Sequence, residues 1–319
     1  DALIAGAGPT GLVLALWLQR LGASVRIVDK AAQPGTTSRA LVVHARTLEF
    51  YRQIGIADAV VAQSLEFGAV DLWVRGRKKA RFVLGDIGAG VSRFPYMLIF
   101  AQDQHERFLI DRLRESGVEI DRPTEVLDFD ERGDCVAVRL KRADGSVETC
   151  EASFLAGCDG AHSIVREGLN TGFPGGTYKH MFYVADVNAT GPVMNKELNL
   201  ALDDADFLAV FPMKGDGTAR LIGTVVLTKA REPNQQHRAD VGKMLVLSEV
   251  RRRGLGGRLL SSVEALARAK GRTLLQLDTQ TGSAGERLYA GSGWTRFGVV
   301  PGHALTPDGT PAATSFFYK

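Results

Sequence analysis

The feature that most constrains the fold is a glycine-rich turn near the start of the chain, Gly6-Ala7-Gly8-Pro9-Thr10-Gly11. The turn follows an apolar run over residues 2–5 and precedes a helical pattern of leucines. A second β-rich run, residues 24–29, ends at Asp29. Strand, glycine turn, helix and acid-terminated strand in this order are typical of a parallel βαβ unit that binds a dinucleotide. The sequence therefore predicts an α/β fold that contains a Rossmann-like domain.

Each residue of this pattern has a separate physical task. Gly6 permits the tight turn, Gly8 lets backbone N–H groups approach a pyrophosphate, and Gly11 lets the helix pack closely on the strand. The helix N-terminus adds a favourable partial positive charge. Asp29 is placed to accept hydrogen bonds from a ribose diol. A tight strand–helix turn without any ligand remains the alternative interpretation.

A second glycine-rich turn occurs downstream, Arg251-Arg252-Arg253-Gly254-Leu255-Gly256. It follows a β-rich run over residues 239–246, and the apolar residues from Leu259 to Ala267 recur at helical spacing after it. Such a turn directs backbone N–H groups at a diphosphate, and its arginines add positive charge. A solvated helix start that happens to be rich in arginine is the alternative.

Composition and charge narrow the classes of partner. The chain has 319 residues, enough for two domains, and no apolar run approaches the roughly 20 residues that span a bilayer. Residues 229–319 hold 14 Lys and Arg against 7 Asp and Glu, and we expect them to attract an anionic cofactor because no nucleic-acid recognition pattern accompanies them. Cys135, Cys150 and Cys158 lack the spacing of a disulfide framework or zinc site. We expect a cytoplasmic protein whose natural start precedes Asp1; its oligomeric state is not readable.

Four segments of the first two thirds of the chain resemble one known family. Together they are similar to flavoprotein aromatic hydroxylases, the para-hydroxybenzoate hydroxylase-like monooxygenases, over about residues 1–225. The segments are Ser38-Arg39-Ala40, His44–Glu49, Gln102–Glu106 and the Asp-Gly-containing run Gly157–Arg166. The resemblance implies FAD as cofactor, NAD(P)H as reductant and a small aromatic substrate. The residues that it implies for cofactor binding are Gly6, Gly8, Gly11, Asp29, Arg39 or Arg46, Gln102, Asp159 and Gly160.

Several of these residues have a plainer alternative. Arg46 fits a solvated helix position, Gln102 fits a helix cap, and Asp159-Gly160 fits an ordinary turn. His162 is expected to be a polar loop residue, because nothing nearby in the sequence completes an acid–base pair.

The strand pattern and the motif order together predict three domains. Residues 181–187, 197–202, 207–213 and 220–226 are expected to be strands, with a hairpin turn at Lys214-Gly215-Asp216-Gly217. We predict an FAD-binding domain over 1–177, a β-rich substrate segment over 178–226 and a further α/β unit over 227–319. Nothing after residue 226 matches the third FAD motif of the hydroxylases. The sequence therefore predicts FAD binding and leaves hydroxylation open.

Residues 221–319 resemble a second family, the GNAT superfamily of N-acetyltransferases, in a partial form. The resemblance rests on the turn around Gly254 and Gly256 and on Gly285-Glu286-Arg287-Leu288-Tyr289 followed by Gly293-Trp294. It implies acetyl-CoA held by backbone around 252–257, with Arg251, Arg252 and Arg253 nearby and pantetheine along the strand ending at Val246. It also implies that Tyr289 protonates the departing thiolate and that an amine accepts the acetyl group. A buried core tyrosine is the alternative.

Three functional interpretations remain open at this level. The first is an FAD-binding, monooxygenase-like oxidoreductase that carries a C-terminal acetyltransferase-like unit. The second makes acetyl-CoA chemistry the activity and the flavin half a scaffold. The third is an inactive chimera of two truncated enzymes, meeting near Gly223.

Overall fold

A computed structural model describes most of the chain as two compact units. Unit 1 comprises residues 1–66 and 85–176, and unit 2 comprises 67–84 and 177–319. The described residues are 1–35, 40–74, 76–176, 181–188, 190–202, 207–215, 217–230, 233–242, 255–306 and 309–319.

Strands and helices are numbered separately in chain order. The strands are β1 Ala2–Ala5, β2 Val25–Val28, β3 Val42–Val43, β4 Leu65–Phe67, β5 Ala69–Val74, β6 Arg77–Val83, β7 Met97–Ile99, β8 Ile120–Asp121, β9 Thr124–Arg132, β10 Cys135–Arg142, β11 Val147–Ala152, β12 Phe154–Gly157, β13 Met181–Asn188, β14 Leu198–Leu202, β15 Phe207–Pro212, β16 Thr218–Lys229, β17 Arg238–Gly242, β18 Leu274–Gln280, β19 Thr295–Leu305 and β20 Pro311–Tyr318. The helices are α1 Pro9–Arg20, α2 Ala45–Gln53, α3 Ala57–Gln63, α4 Gln102–Glu115, α5 Ile164–Gly168, α6 Leu255–Ala269 and α7 Ala284–Gly291.

Unit 1 is built on a parallel sheet with the strand order β12-β1-β2-β8. All four residues of β1 are buried, as expected for a strand covered on both faces. Pro9 occupies the first turn of α1, where its missing N–H costs nothing, and Leu12 and Ala15 of that helix are fully buried. The predicted strand–turn–helix–strand unit over residues 2–29 is confirmed. Strand β12, Phe154–Gly157, ends directly before the Asp-Gly segment.

A second, antiparallel sheet of unit 1 has the order β11-β10-β9. Val138 and Leu140 of β10 are fully buried and pack in one cluster with Leu3, Ala5 and Val28 of the parallel sheet. The alternate positions of β10 carry arginine and lysine side chains that are exposed. This period-two pattern is that of a sheet with one face on the core.

Unit 2 contains a ten-stranded sheet whose main path is β19-β20-β18-β17-β16-β15-β14-β5-β6, with β13 also paired to β16. The four strands predicted between 181 and 226 are present as β13 to β16. Sequence analysis missed the hairpin β5–β6, which belongs to this unit and pairs in parallel with β14. The three predicted domain ranges stay a prediction, and the expected boundary at 226–227 falls inside β16.

The C-terminal part of unit 2 is a second parallel βαβ arrangement. β17 and β18 pair in parallel from Arg238 opposite Leu274 to Asp240 opposite Gln276, and α6 lies between them in sequence. Leu260 and Val263 of α6 pack in the core of this part, while Leu259 packs on β15 and β16. The helix therefore covers both halves of the continuous sheet.

No helix among the described residues is long and apolar enough to cross a membrane.

Candidate functional site

The glycine turn of unit 1 is so tightly packed that glycine is required at two of its three positions. Gly6 has a φ of +101°, and a Cβ there would lie 2.3 Å from the carbonyl oxygen of Cys158. A Cβ on Gly11 would lie 2.0 Å from the carbonyl oxygen of Gly6. Gly8 differs, since a Cβ there would meet nothing within 4 Å. The first and third glycines thus serve the protein fold, and the second leaves open space.

The same turn presents unused backbone donors. Gly8 caps α1 in an extended conformation, and within the described residues no side chain caps this helix. The first N–H groups of any α-helix have no partner inside the helix. They point outward from the positive end of the helix dipole, which favours an anionic group at this place.

Asp29 follows β2 and is tied to the turn. One carboxylate oxygen, Oδ2, accepts a hydrogen bond from the backbone N–H of Ala7 at 2.7 Å. The other, Oδ1, accepts one from the N–H of Ala31 at 2.8 Å. Because a carboxylate oxygen accepts more than one hydrogen bond, Asp29 holds the turn and keeps acceptor capacity for a ribose hydroxyl.

The Asp-Gly segment follows β12, which pairs with β1 on the side away from β2. Asp159 accepts hydrogen bonds from the Ser163 hydroxyl at 2.5 Å and from the Ile164 N–H at 2.8 Å, so it fixes the start of α5. Gly160 follows with a φ of +83°. The guanidinium of Arg166 donates to the carbonyl oxygens of Gly160 and Ala161. These bonds give the loop one defined shape.

The turn, Asp29 and the Asp-Gly segment border one cavity of about 280 Å³. This volume is near the lower end of the roughly 300–1,000 Å³ of small-molecule sites. The structure therefore brings together five of the residues predicted from the sequence. The lining residues are Ala5, Gly6, Gly8, Val28, Asp29, Lys30, Thr124, Glu125, Val126, Cys158, Asp159, Gly160, His162 and Ile164.

Other predicted cofactor residues do not line this cavity. Gln102 begins α4, and its side-chain oxygen accepts from the Ala40 N–H at 3.1 Å while its amide donates to Glu106 at 2.7 Å. Arg46 is 71% exposed, pairs with Glu49 at 2.8 Å and lies 4.5 Å over the ring of Phe50. Arg39 lies outside the described residues. Their roles in cofactor binding stay predictions.

Sequence reasoning missed the part of the wall formed by Thr124, Glu125 and Val126 at the start of β9. No motif marks these residues. The signal lies in the backbone, because the N–H of Thr124 donates to the carbonyl of Asp29 and places β9 beside the end of β2. Cys158 also borders the cavity, and burial together with the neighbouring Asp159 raises the pKa of its thiol. We expect a neutral thiol there at neutral pH.

Two buried polar groups of unit 1 do not line the cavity but contact each other. The Tyr51 hydroxyl and the His105 Nε2 are 2.9 Å apart in the core between α2 and α4. Burial raises the pKa of Tyr51 to about 12 and lowers the pKa of His105 to about 4. Both side chains are therefore neutral near pH 7.

The second predicted site is described only in part. Val246, Arg251, Arg252, Arg253 and Gly254 lie outside the described residues, whereas Gly256 is the second residue of α6. Tyr289 on α7 is buried against Trp294 and Phe317, with ring centroids 6.3 and 5.9 Å away. Burial and the nearby Asp278 raise the pKa of Tyr289. The tyrosine is a core residue whose hydroxyl stays protonated at neutral pH, and its catalytic role stays a prediction.

Four features define a dinucleotide-binding α/β protein: the parallel sheet, the glycine turn, the helix N-terminus without a side-chain cap among the described residues, and the acid after β2. The family model described as "FAD binding domain" matches residues 1–258, and the chain belongs to this family. FAD is accordingly the cofactor that the comparison supports.

Similar proteins are named as monooxygenases. The chain is 35% identical over 256 residues to 6-methylpretetramide 4-monooxygenase of Streptomyces rimosus. This alignment covers 80% of this chain and 44% of that protein. It is 37% identical over 185 residues to 12-dehydrotetracycline 5-monooxygenase/anhydrotetracycline 6-monooxygenase of the same species, covering 58% and 35%. The chain thus spans less than half the length of these relatives.

A solved structure shows the same fold. The p-nitrophenol 4-monooxygenase PnpA from Pseudomonas putida DLL-E4 matches with a TM-score of 0.65 and 23% identity, over 79% of this chain and 60% of that one.

The cavity fits the adenylate and pyrophosphate part of FAD on three observations. Gly8 leaves open space beside the turn, and α1 has no side-chain cap among the described residues. Asp29 borders the same cavity and keeps acceptor capacity for a ribose hydroxyl. When bound, FAD supplies redox chemistry that no amino-acid side chain provides.

Proposed function

We propose that this chain binds FAD in unit 1 and acts as a flavin-dependent monooxygenase on small aromatic molecules, with NAD(P)H as the reductant. The observation that carries the proposal is the cavity in which Gly6, Gly8, Asp29, Asp159 and Gly160 meet. The relatives are named for 6-methylpretetramide and anhydrotetracycline, and the similar solved structure for p-nitrophenol; these names support that substrate class.

In this proposal the chain's own residues hold and orient the cofactor. The N–H groups of the turn and of α1 bind the pyrophosphate, and Asp29 accepts from the ribose hydroxyls. The Asp-Gly loop, fixed by Ser163 and Arg166, lines the same cavity and keeps its shape when the ligand enters. Because these contacts exist before binding, little ordering entropy is lost on association.

Gly8→Ala tests the proposal without disturbing the fold. Gly8 has φ −76° and ψ 179°, which any residue adopts, and its Cβ would meet no protein atom within 4 Å. The methyl group would instead occupy the path of the pyrophosphate. We expect an unchanged thermal midpoint and at least a tenfold weaker FAD affinity, about 1.4 kcal/mol, by flavin fluorescence titration.

The matched control is Gly175→Ala, at an exposed glycine of the same unit whose Cβ would also meet nothing within 4 Å. It is expected to bind FAD as the unmodified chain does. Absence of flavin binding by the unmodified chain would refute the proposal. Normal FAD affinity in the Gly8 variant would show that the ligand binds elsewhere.

We propose acetyl-CoA-dependent N-acetyl transfer by the C-terminal part of unit 2 as a second candidate function. The observation that favours it is that β17, α6 and β18 follow one another as strand, helix and parallel strand, the order that the acetyltransferase resemblance implies. In this proposal Tyr289, protonated at neutral pH, donates a proton to the leaving thiolate of the acetyl donor, and the acceptor is an amine.

Titration calorimetry with acetyl-CoA tests this second candidate. Binding heat that persists in Tyr289→Phe, with acetyl transfer lost, is the expected result, because the ring packs in the core and only the hydroxyl is removed. No binding heat and no thermal protection would reject it. If both cofactors bind and neither NAD(P)H oxidation nor acetyl transfer exceeds background, the chain is a non-catalytic chimera of two cofactor-binding fragments.

A further inference from the structure

Arg122 contacts the glycine turn but does not line the cavity of about 280 Å³. It follows β8. Two backbone hydrogen bonds hold the segment around it against Asp29: the Asp29 N–H donates to the Asp121 carbonyl at 3.0 Å, and the Thr124 N–H donates to the Asp29 carbonyl at 2.9 Å. The Arg122 side chain is only 12% exposed. A long cationic side chain pays a considerable entropy and desolvation cost to be held there, so its contacts call for an explanation.

The guanidinium contacts two groups of the turn. Its Nη2 donates to the carbonyl oxygen of Ala7 at 3.3 Å, and the same atom lies 3.6 Å from Oδ2 of Asp29. That Oδ2 in turn accepts from the N–H of Ala7. Both polar groups of Ala7 are therefore held, its N–H by Asp29 and its carbonyl by Arg122.

Holding the carbonyl has a consequence for the next residue. In a trans peptide the C=O of one residue and the N–H of the next point in opposite directions. The Ala7 carbonyl faces Arg122, so the N–H of Gly8 is directed away from it. Gly8 borders the 280 Å³ cavity, whereas Arg122 borders a separate cavity of about 150 Å³. The Gly8 N–H is thus aimed at the side where the pyrophosphate is proposed to bind.

The Nε of the Arg122 guanidinium supports a role in orienting the turn. Its Nε is buried without a hydrogen-bond partner among the described residues. A side chain selected for stability alone would be expected to satisfy its buried donors. Here the planar group is instead oriented by the two contacts at its Nη2.

We propose that Arg122 is a positioning residue of the dinucleotide site, which aims the Gly8 N–H at the pyrophosphate by holding the Ala7 carbonyl. The inference rests on the proposed binding of FAD. It assigns no direct ligand contact to Arg122. It therefore predicts a loss that is specific to ligands with a diphosphate.

The experiment compares ADP with adenosine in Arg122→Met. Both ligands carry the ribose that Asp29 binds, and only ADP carries the diphosphate. We expect ADP affinity to fall about tenfold, the value of one hydrogen bond to a charged group, while adenosine affinity stays within about twofold. Competition against bound FAD gives both constants. The matched control is Arg139→Met, which removes an exposed pair with Asp128 in the same unit and is expected to change neither constant.

Three results would overturn the inference. Equal weakening of ADP and adenosine would indicate a merely structural role. A loss that disappears between about 50 and 500 mM salt would indicate through-space attraction of the diphosphate, since such attraction is screened. Unchanged ADP binding would show that the contact has no role.

A second variant covers failure to fold. Arg122→Lys keeps the charge, but one ammonium group lacks the planar geometry that holds a carbonyl and a carboxylate together. A loss specific to ADP, with circular dichroism like that of the unmodified chain, supports the inference, and unchanged ADP binding contradicts it. If the unmodified chain itself binds neither FAD nor ADP, the proposed function fails instead, and that outcome is distinct from all of these.

Discussion

Among the described residues, the two parallel βαβ arrangements of the chain show contacts at different places. In β1–α1–β2 the contacts converge on the turn before the helix. Asp29 and Arg122 hydrogen-bond to Ala7, and the Cys158 backbone leaves no room for a side chain at Gly6. In β17–α6–β18 the contacts among the described residues hold the body of the helix. The buried carboxylate of Glu264 accepts from the Trp294 indole at 2.8 Å and pairs with Lys319 at 2.8 Å.

The difference separates two physical requirements. A turn that binds a dinucleotide must present its N–H groups in one orientation before the ligand arrives, and that orientation is costly unless side chains enforce it. A helix that only completes a core needs an apolar face and satisfied buried polar groups. The first arrangement meets the former requirement, and the described part of the second meets the latter. Four substitutions or conditions probe this contrast.

The largest effect is expected for Gly6→Ala. The new Cβ would lie 2.3 Å from the Cys158 carbonyl oxygen in a residue with φ +101°, so the chain must shift or strain. We expect a loss of at least about 4 kcal/mol in the free energy of unfolding of unit 1 and no measurable FAD binding. Urea titration followed by circular dichroism measures the first, and flavin fluorescence the second. A stable variant that binds FAD would show that the turn is not rigid.

Glu264→Ala is expected to have the next largest effect. It leaves the buried Trp294 N–H without its acceptor and removes the carboxylate that pairs with Lys319. We expect a loss of about 3 kcal/mol in the stability of unit 2, and about 1–2 kcal/mol for Glu264→Gln, which keeps an acceptor. Tryptophan fluorescence during urea unfolding measures both. Arg268→Ala is the control, because its side chain is 67% exposed, and equal losses in control and variant would contradict the assignment.

Acid is expected to weaken unit 1 through His105. The pKa of His105 in the folded state is about 4, below the 6.5 of an unfolded histidine, so the unfolded state takes up the proton first. The contribution of the neutral histidine to the free energy of unfolding is complete above about pH 6.5. It falls by up to about 3 kcal/mol as the pH decreases towards 4. Hydrogen exchange of the buried Leu109 and Leu113 amides of α4 reports this loss. In His105→Gln this part of the pH dependence of stability is expected to vanish. An unchanged pH dependence would show that protonation of His105 is not the cause.

The smallest effect is expected in α6. A Cβ on Gly257 would meet no atom of the described residues within 4 Å, and alanine favours helix over glycine. Gly257→Ala should therefore raise the stability of unit 2 by up to about 1 kcal/mol, measured by urea unfolding. A destabilised variant would show that this helix start is as closely packed as the turn at Gly6.

The local pattern of the sequence was sufficient to predict much of the fold. Gly6, Gly8 and Gly11 predicted the strand, turn and helix correctly because these elements follow one another directly in the chain. The contact that requires glycine at position 6 comes from the distant Cys158, and no local pattern showed it. The leucines of α6 predicted that helix because four of its five expected apolar positions, Leu259, Leu260, Val263 and Ala267, are buried. The family resemblance implied that Asp29 and the Asp-Gly segment both contact the cofactor, and in the structure both line one cavity.

Features that depend on distant pairing were not predictable. Hairpin β5–β6 joins unit 2 through parallel pairing with β14, more than a hundred residues away, and no local pattern specifies that partner. Arg122 was missed for a similar reason, since its two contacts come from residues 7 and 29. The acetyltransferase-like interpretation of residues 221–319 has no support among the similar proteins, and it remains a proposal.

Strand β16 has a consequence for anyone who would cut the chain into modules. Its first eight residues pair with β13 from Met181 to Asn188, and its last four pair with β17. A gene fragment ending near codon 226 would remove the edge on which β17 assembles, and a fragment beginning there would expose that edge to other chains. Separate expression of the two halves is therefore expected to yield aggregates. A productive exchange of parts has to keep the whole strand with its three neighbours, β13, β15 and β17.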